Sequence, residues 1–478
     1  MTDSRVKVAR NSLWLIAQPV IISVVSVMVT ALVARHLGAA DYGLLLLLVS
    51  WFALFSMVAS LGLRQHMVRE IAGGGAVMDV LEENLWLRLI LSGASALLLL
   101  GANFTFSIVP PASHHLVALI ALQVVVHGVA VCFIDALYGL EEMRAAAAIQ
   151  ALAGLSVQGL LLAAVWLQMS LTILVSVYVA GSGLLLVAGL RGISRKAGWP
   201  RLHWRRRLRV SQAMRGWQMF LPSLFESLRQ RVAFFFLGGL LGHQSVGVFG
   251  AAQTLVQKLD VIPDGVATAS FSRTARLAEQ ARAELLELVQ GTLKVLLVLG
   301  MPVACGLPFV ANEIVAALYG DAYRDTARVL MILGVGLPFL FAQILLFYVL
   351  AGMREHNRLM YVSAVGTAVG VAMFWAGVHM GGIDGAALAY VLTLALLAGG
   401  YFCVFWMCLG LPIRLMDLAK VGLANAIMAL VLWLMAPLAA VWTILVGALV
   451  YVGAVFGLRL VRWGEIQAVF ARRSVGEA

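Results

Sequence analysis

Charge is what this sequence has least of. Of its 478 residues only 12% are Asp, Glu, Lys or Arg, against 62% hydrophobic. An ordinary soluble domain carries about 25% charged residues, so a water-soluble surface over this much apolar chain is excluded. Cysteine is scarce as well: Cys132, Cys305, Cys403 and Cys408 all fall in apolar runs with no CxxC spacing. That excludes a disulfide framework and a cysteine zinc site. No GxxxxGK[ST] loop occurs, so ATP is not expected to drive this chain directly. His66, His127 and His379 are isolated, with no HExxH or carboxylate arrangement, and neither a metal nor a cofactor is expected. Acidic residues number 23 against 34 basic ones, a formal +11. In a soluble protein that excess suggests nucleic acid; in a membrane protein it suggests the bias of Lys and Arg toward the cytoplasmic side.

What is present is long runs of Leu, Val and Ala. A transmembrane helix needs about 20 mainly apolar residues, and fourteen such stretches can be placed, from 12–34 through to 439–458. The first follows Arg5, Lys7 and Arg10 without a small-residue cleavage site, which reads as an uncleaved span. With the N-terminus inside, the cytoplasmic segments hold 27 of the 34 basic residues. Both termini are therefore expected in the cytoplasm. The chain divides at a segment carrying nine basic and no acidic residues from Arg191 to Arg215, where Trp199 and Trp204 suggest a stretch lying on the anionic inner leaflet. The expected organisation is an N-lobe at 1–190 (spans one to six), a basic cytoplasmic linker at 191–215, a C-lobe at 216–408 (spans seven to twelve), and a helix pair with a basic tail at 409–478. The fold class is an all-α integral membrane protein.

An internal repeat supports the two lobes. Leu37-Gly38-x-x-x-Tyr42-Gly43 recurs as Leu241-Gly242-x-x-x-Val246-Gly247 at an offset of 204, and Arg69 and Arg273 share that offset. Gly139-x-x-Glu142 recurs as Gly352-x-x-Glu355 at 213. Copies six spans apart have the same orientation, an arrangement found in many transporters.

Ionisable residues inside a bilayer are costly, by about 2.5 to 3.5 kcal/mol each on insertion scales, and normally face a bundle interior or a wet cavity. Here they cluster. Span seven carries Glu226, Arg229 and Arg231; span eight carries Lys258, Asp260 and Asp264, with Pro263 and Gly265 placed to kink or break it. Two readings are open. Glu226 with Arg229, three residues apart, and Lys258 with Asp260 or Asp264 can simply neutralise one another. Alternatively, the arginines and the lysine face an anionic, phosphate-bearing amphiphile, which a planar charged fork binds well. Asp135 near the end of span four reads as a helix cap or a proton site.

Several segments carry a family likeness. NSLWLIAQ, VARHLGAADYG and LGLRQHMVREIA at the start, and ALYGDAYRDTARVLMILG, AGMREHNRLMY and GGIDGAALAYVL later, resemble bacterial polysaccharide flippases of the Wzx type. These belong to the multidrug/oligosaccharidyl-lipid/polysaccharide (MOP) flippase superfamily. The resemblance implies two six-helix lobes enclosing a central cavity, and movement of undecaprenyl-diphosphate-linked oligosaccharide from the cytoplasmic to the periplasmic leaflet by alternating access, without enzymatic chemistry. It places diphosphate binding on Arg35, Arg64, Arg229, Arg231 and Lys258; Glu226, Asp260 and Asp264, the acids of spans seven and eight, are the candidates for ion or proton coupling. Where the family often has an Asp in span seven, this chain has Arg231-Val232-Ala233. Spans thirteen and fourteen resemble the extra pair of the lipid II flippase branch. The implied location is the bacterial inner membrane, with membrane lipids, a polysaccharide polymerase and chain-length proteins as partners and no nucleic acid. Competing readings are a lipid II flippase, a cation-coupled drug exporter of the same superfamily, and a polytopic glycan polymerase or ligase. The last would need a sizeable external loop, and the longest expected here, 312–327, holds no His.

Overall fold

The computed structural model describes residues 2–60, 62–106, 109–199, 217–435 and 440–460. Apart from short 3-10 turns, every regular element among them is an α-helix. In lipid each backbone N–H and C=O needs a partner within its own segment, and helices of apolar residues meet that demand. In chain order they are α1 (Thr2–Ser60), α2 (Leu63–Ala72), α3 (Val77–Phe106), α4 (His114–Gly139), α5 (Met143–Trp166), α6 (Leu171–Ala197), α7 (Trp217–Leu240) and α8 (His243–Gln257). There follow α9 (Val261–Gln280), α10 (Arg282–Tyr319), α11 (Arg324–Gly334), α12 (Leu337–Gly352), α13 (His356–Leu409), α14 (Leu415–Leu434) and α15 (Ala440–Gly457). The basic stretch from Arg201 to Arg215 lies outside the described residues, as do Arg462, Arg472 and Arg473 of the tail.

Among the described residues, eight helices are long and apolar enough to cross a bilayer, or nine if α11 and α12, bent at 50°, form one span. Two of the eight are interrupted by a glycine with non-helical backbone, Gly38 in α1 (φ 74°, ψ 171°) and Gly382 in α13 (φ 59°, ψ −131°). The two arms of α13 run antiparallel, because Ser363 and Tyr401 share a hydrogen bond of 2.8 Å and Gly370 faces Thr393. Their closest approach is at Gly377 and Gly385, where a Cβ on either would sit 2.4 or 1.9 Å from the other's carbonyl oxygen. α7 carries three charges and α8 has only 15 residues, so neither qualifies on composition alone.

The chain forms two compact units, one of residues 32–247 and the other of 1–31 with 248–478. The first takes in α7 and the turn after it, whereas the boundary expected from the basic segment lay at 191–215. Its core packs Met67 and Ile71 of α2 and Leu81 and Leu85 of α3 against Ala130, Phe133, Ile134 and Leu137 of α4. α7 runs beside the second arm of α1, with Phe235 on Trp51 (ring centroids 4.5 Å apart) and Gly238 against Leu47. In the second unit the C-terminal pair packs on α10. Val421, Ala424 and Met428 of α14 and Tyr451 and Val455 of α15 surround Val298, and the Tyr451 hydroxyl donates to the Val298 carbonyl at 2.9 Å.

The sequence repeat is a repeat of backbone geometry. Gly38 and Gly242 both have positive φ, 74° and 85°. After α4 the amides of Leu140, Glu141 and Glu142 bond to the carbonyls of Ala136, Tyr138 and Leu137; after α12, Met353, Arg354 and Glu355 bond to Val349, Ala351 and Leu350 in the same pattern. The middle residues, Glu141 (φ 60°) and Arg354 (φ 62°), are two of the few non-glycine positions with positive φ. Gly139 rests on Ile71 and Gly352 on Thr274, which places matching helix ends on matching helices of the two copies.

Candidate functional site

In α7, the pairing read from the sequence is formed. Arg229 is 4% exposed; its Nε donates to Glu226 Oε2 at 3.0 Å and its Nη2 to Oε1. Gln230 adds a third donor to the same carboxylate at 2.8 Å. Two residues on, Arg231 is different. Its guanidinium is half-buried, its Nη1 lies 3.5 Å from the Ser50 hydroxyl, its Nε is buried without a partner, and no carboxylate meets it among the described residues. The helical turn decides this: Glu226 reaches i+3 and i+4, so Arg229 and Gln230 take it and Arg231 faces α1.

In the second unit, the continuous span eight of the sequence reading is broken at a 3-10 turn, Lys258–Asp260, between α8 and α9. Pro263 explains the place: it lacks the N–H that a helix would donate to Leu259, so the regular ladder fails just ahead of it. Gly265 lies within α9. Lys258 donates to the Ser26 hydroxyl at 3.0 Å and, among the described residues, pairs with neither Asp260 nor Asp264. Asp264 is exposed and accepts from the Tyr348 hydroxyl at 2.9 Å; Asp260 is half-buried. The local neutralisation considered for Lys258 is therefore not formed, whereas that for Glu226 and Arg229 is.

Arg35 is exposed near the end of the first arm of α1. Arg64, the second residue of α2, is part of a cluster that sequence reasoning missed. Asp135 of α4 is fully buried and hydrogen-bonded to Arg88 of α3, itself 2% exposed, whose Nη1 also points to the Gly128 carbonyl at 3.4 Å. Arg64 Nε approaches the other oxygen of Asp135 at 3.4 Å. Asp135 is thus not a cap but the buried centre of an ion cluster with Arg88 and the exposed Arg64. α3 begins at Val77 and carries Arg88 more than two turns into the helix. The signal was available in the run from Val77, which is helical in pattern despite Asp79, Glu82 and Glu83.

The turns that carry the repeat meet each other. A Cβ on Gly43 would lie 1.8 Å from the His243 carbonyl oxygen, and one on Gly247 would lie 2.0 Å from that of Ala39. Residues 39 and 243, and 43 and 247, are equivalent at the offset of 204, so the contact is reciprocal, as a two-fold relation between the copies requires. Only glycine lets the two backbones approach this closely.

A family model described as "Polysaccharide biosynthesis protein" matches residues 8–271. The chain belongs to that family. A second model, MatE, matches residues 219–375. No curated protein matches the sequence. Among solved structures, the fold is similar to that of the lipid II flippase MurJ in an inward closed conformation (TM-score 0.72, 12% identity, 96% of this chain and 99% of that one). It is also similar to an inward-facing multidrug resistance MATE family transporter of the MOP superfamily (TM-score 0.66, 18% identity, 80% and 94%). A MOP superfamily transporter from Pyrococcus furiosus, described as having a binding pocket of reverse polarity, aligns at TM-score 0.54 and 15% identity over 82% and 94%. The protein is a multi-pass, all-α membrane protein with the fold of the MOP superfamily transporters.

Proposed function

We propose that this protein flips a lipid-linked oligosaccharide carrying a diphosphate, undecaprenyl-linked in a bacterial inner membrane, from the cytoplasmic to the periplasmic leaflet. The observation that carries the reading is the pair of cations without anions: Arg231 and Lys258 lie in or beside apolar helices and meet only serine hydroxyls among the described residues. Holding a charge there costs about 2.5 to 3.5 kcal/mol, and a bound phosphoryl group offsets it with charge-assisted hydrogen bonds. Arg35 and Arg64 are further diphosphate contacts in this reading, while Arg229 serves chiefly to hold Glu226. Of the acids, Asp264 has a tyrosine and, among the described residues, no cation against it, and is the candidate we favour for ion or proton coupling over Glu226 and Asp260. Cationic drugs are disfavoured as substrates by the same two uncompensated positive groups. Agreement with the lipid II flippase fold along 96% of the chain supports a lipid-borne substrate and leaves the lipid II branch as the second reading.

The reciprocal glycine contact supports alternating access. With the termini in the cytoplasm the two turns lie on the external side, where their contact closes the path and must part for release. The test is transport of a fluorescent polyprenyl-diphosphate oligosaccharide in proteoliposomes. Arg231→Ala and Lys258→Ala are each expected to lower the rate at least tenfold, and wild-type rates in both would overturn the reading.

A further inference from the structure

Arg64 is held on two sides. Its Nε lies 3.4 Å from Asp135 Oδ1, and its Cζ sits 4.8 Å above the centre of the Tyr138 ring. Asp135 and Tyr138 are three residues apart on α4 and so share a face. Asp135 is fixed from behind by the buried Arg88, and Tyr138 accepts from Gln150 Nε2 at 3.3 Å. The Arg64 side chain nonetheless stays 54% exposed, and its two Nη groups have no protein partner among the described residues. One carboxylate faces two guanidinium groups here and can cancel only one.

We propose that Asp135 and Tyr138 are positioning residues that present the Nη edge of Arg64 to a phosphoryl group of the substrate. The proposal rests on the diphosphate reading above. A guanidinium has one edge and one face to be held by and a second edge with two parallel donors to bind with. Here the first edge is taken by Asp135 and the face by Tyr138, so the fork is ordered before the ligand arrives and little rotamer freedom is lost on binding. An arginine present only to neutralise Asp135 has no use for the aromatic face, because Arg88 already bonds that carboxylate. The second arginine, still open to solvent, is what the neutralising role leaves unexplained.

A double-mutant cycle tests it in the full-length protein in proteoliposomes, with a polyprenyl diphosphate oligosaccharide as substrate and thermal melting read in parallel. Arg64→Ala is expected to raise KM about tenfold with kcat within about twofold of wild type. Tyr138→Leu, or Tyr138→Met should the first not fold, is expected to raise KM about threefold, while Tyr138→Phe keeps the wild-type value. Combined with Arg64→Ala, the Tyr138 change is expected to add nothing, since its effect passes through Arg64. Multiplying effects on KM, or a lowered melting temperature with KM unchanged, would overturn the positioning role while the substrate reading stands. If wild-type protein shows neither saturable transport nor binding of the diphosphate lipid, the substrate reading falls, and this inference with it.

Discussion

Paired and unpaired arginines of this protein make opposite predictions. Arg88 and Asp135 are both almost wholly buried and bonded to each other, so Asp135→Ala leaves an uncompensated charge in the bundle. Removing one partner of such a pair typically costs 3 to 5 kcal/mol, about what a small domain can lose before unfolding, whereas replacing both with apolar residues is far milder. Asp135→Ala is therefore expected to lower the melting temperature in detergent steeply and Arg88→Met with Asp135→Leu to recover most of it. Arg231 has no anion to lose among the described residues. Arg231→Met is expected to leave the melting temperature unchanged or raised while abolishing transport, and a large drop in melting temperature would show that Arg231 has a structural partner. The sequence marked Arg231 and Arg229 alike as intramembrane cations; which of them is neutralised was partly readable, because Glu226 reaches Arg229 by local helical spacing.

At the scale of elements, glycines set how closely backbones approach. A methyl group added at Gly247 would fall 2.0 Å from the Ala39 carbonyl oxygen, well inside contact distance, and the neighbour is backbone that cannot rotate away. Gly247→Ala is expected to force the two repeat turns apart. A Val246→Cys reporter in a cysteine-free background, buried in the parent, should then react faster with a membrane-impermeant thiol reagent; unchanged reactivity would mean that the turns are not a closure. The positions of these glycines were legible as a repeat, since Gly38, Gly43, Gly242 and Gly247 stand at one offset. That they meet one another was not, because 204 residues separate the copies and nothing in either motif names its partner. The break in span eight was legible to within a turn from Pro263, whose missing N–H acts on the residues before it.

At the scale of the whole molecule, the basic residues predict an orientation, and the chain repeats one backbone design. An inside location of both termini is what the distribution of Lys and Arg predicts, since it sets topology most strongly near the ends of the spans. A green fluorescent protein fused after Ala478 is expected to fluoresce, and alkaline phosphatase inserted near Asp321 to be active. The reverse pattern would invert the direction of transport proposed here. Among the described residues α13, one of the long merged elements, is traced by its contacts as a hairpin of two arms.

By itself the sequence determined the class of the protein, its helical content, the repeat, and those contacts that lie within a turn or two of helix. Each of these depends on composition or on spacing along one segment, and a helix fixes which neighbours share a face. Only the tertiary structure decided which charges are compensated. Arg231 finds Ser50, 181 residues away, Lys258 finds Ser26, 232 away, and Arg88 finds Asp135, 47 away. In helices that are apolar on nearly every side, no hydrophobic stripe sets the rotation about the axis. Packing against other helices sets it, and with it whether a buried cation has an anion beside it.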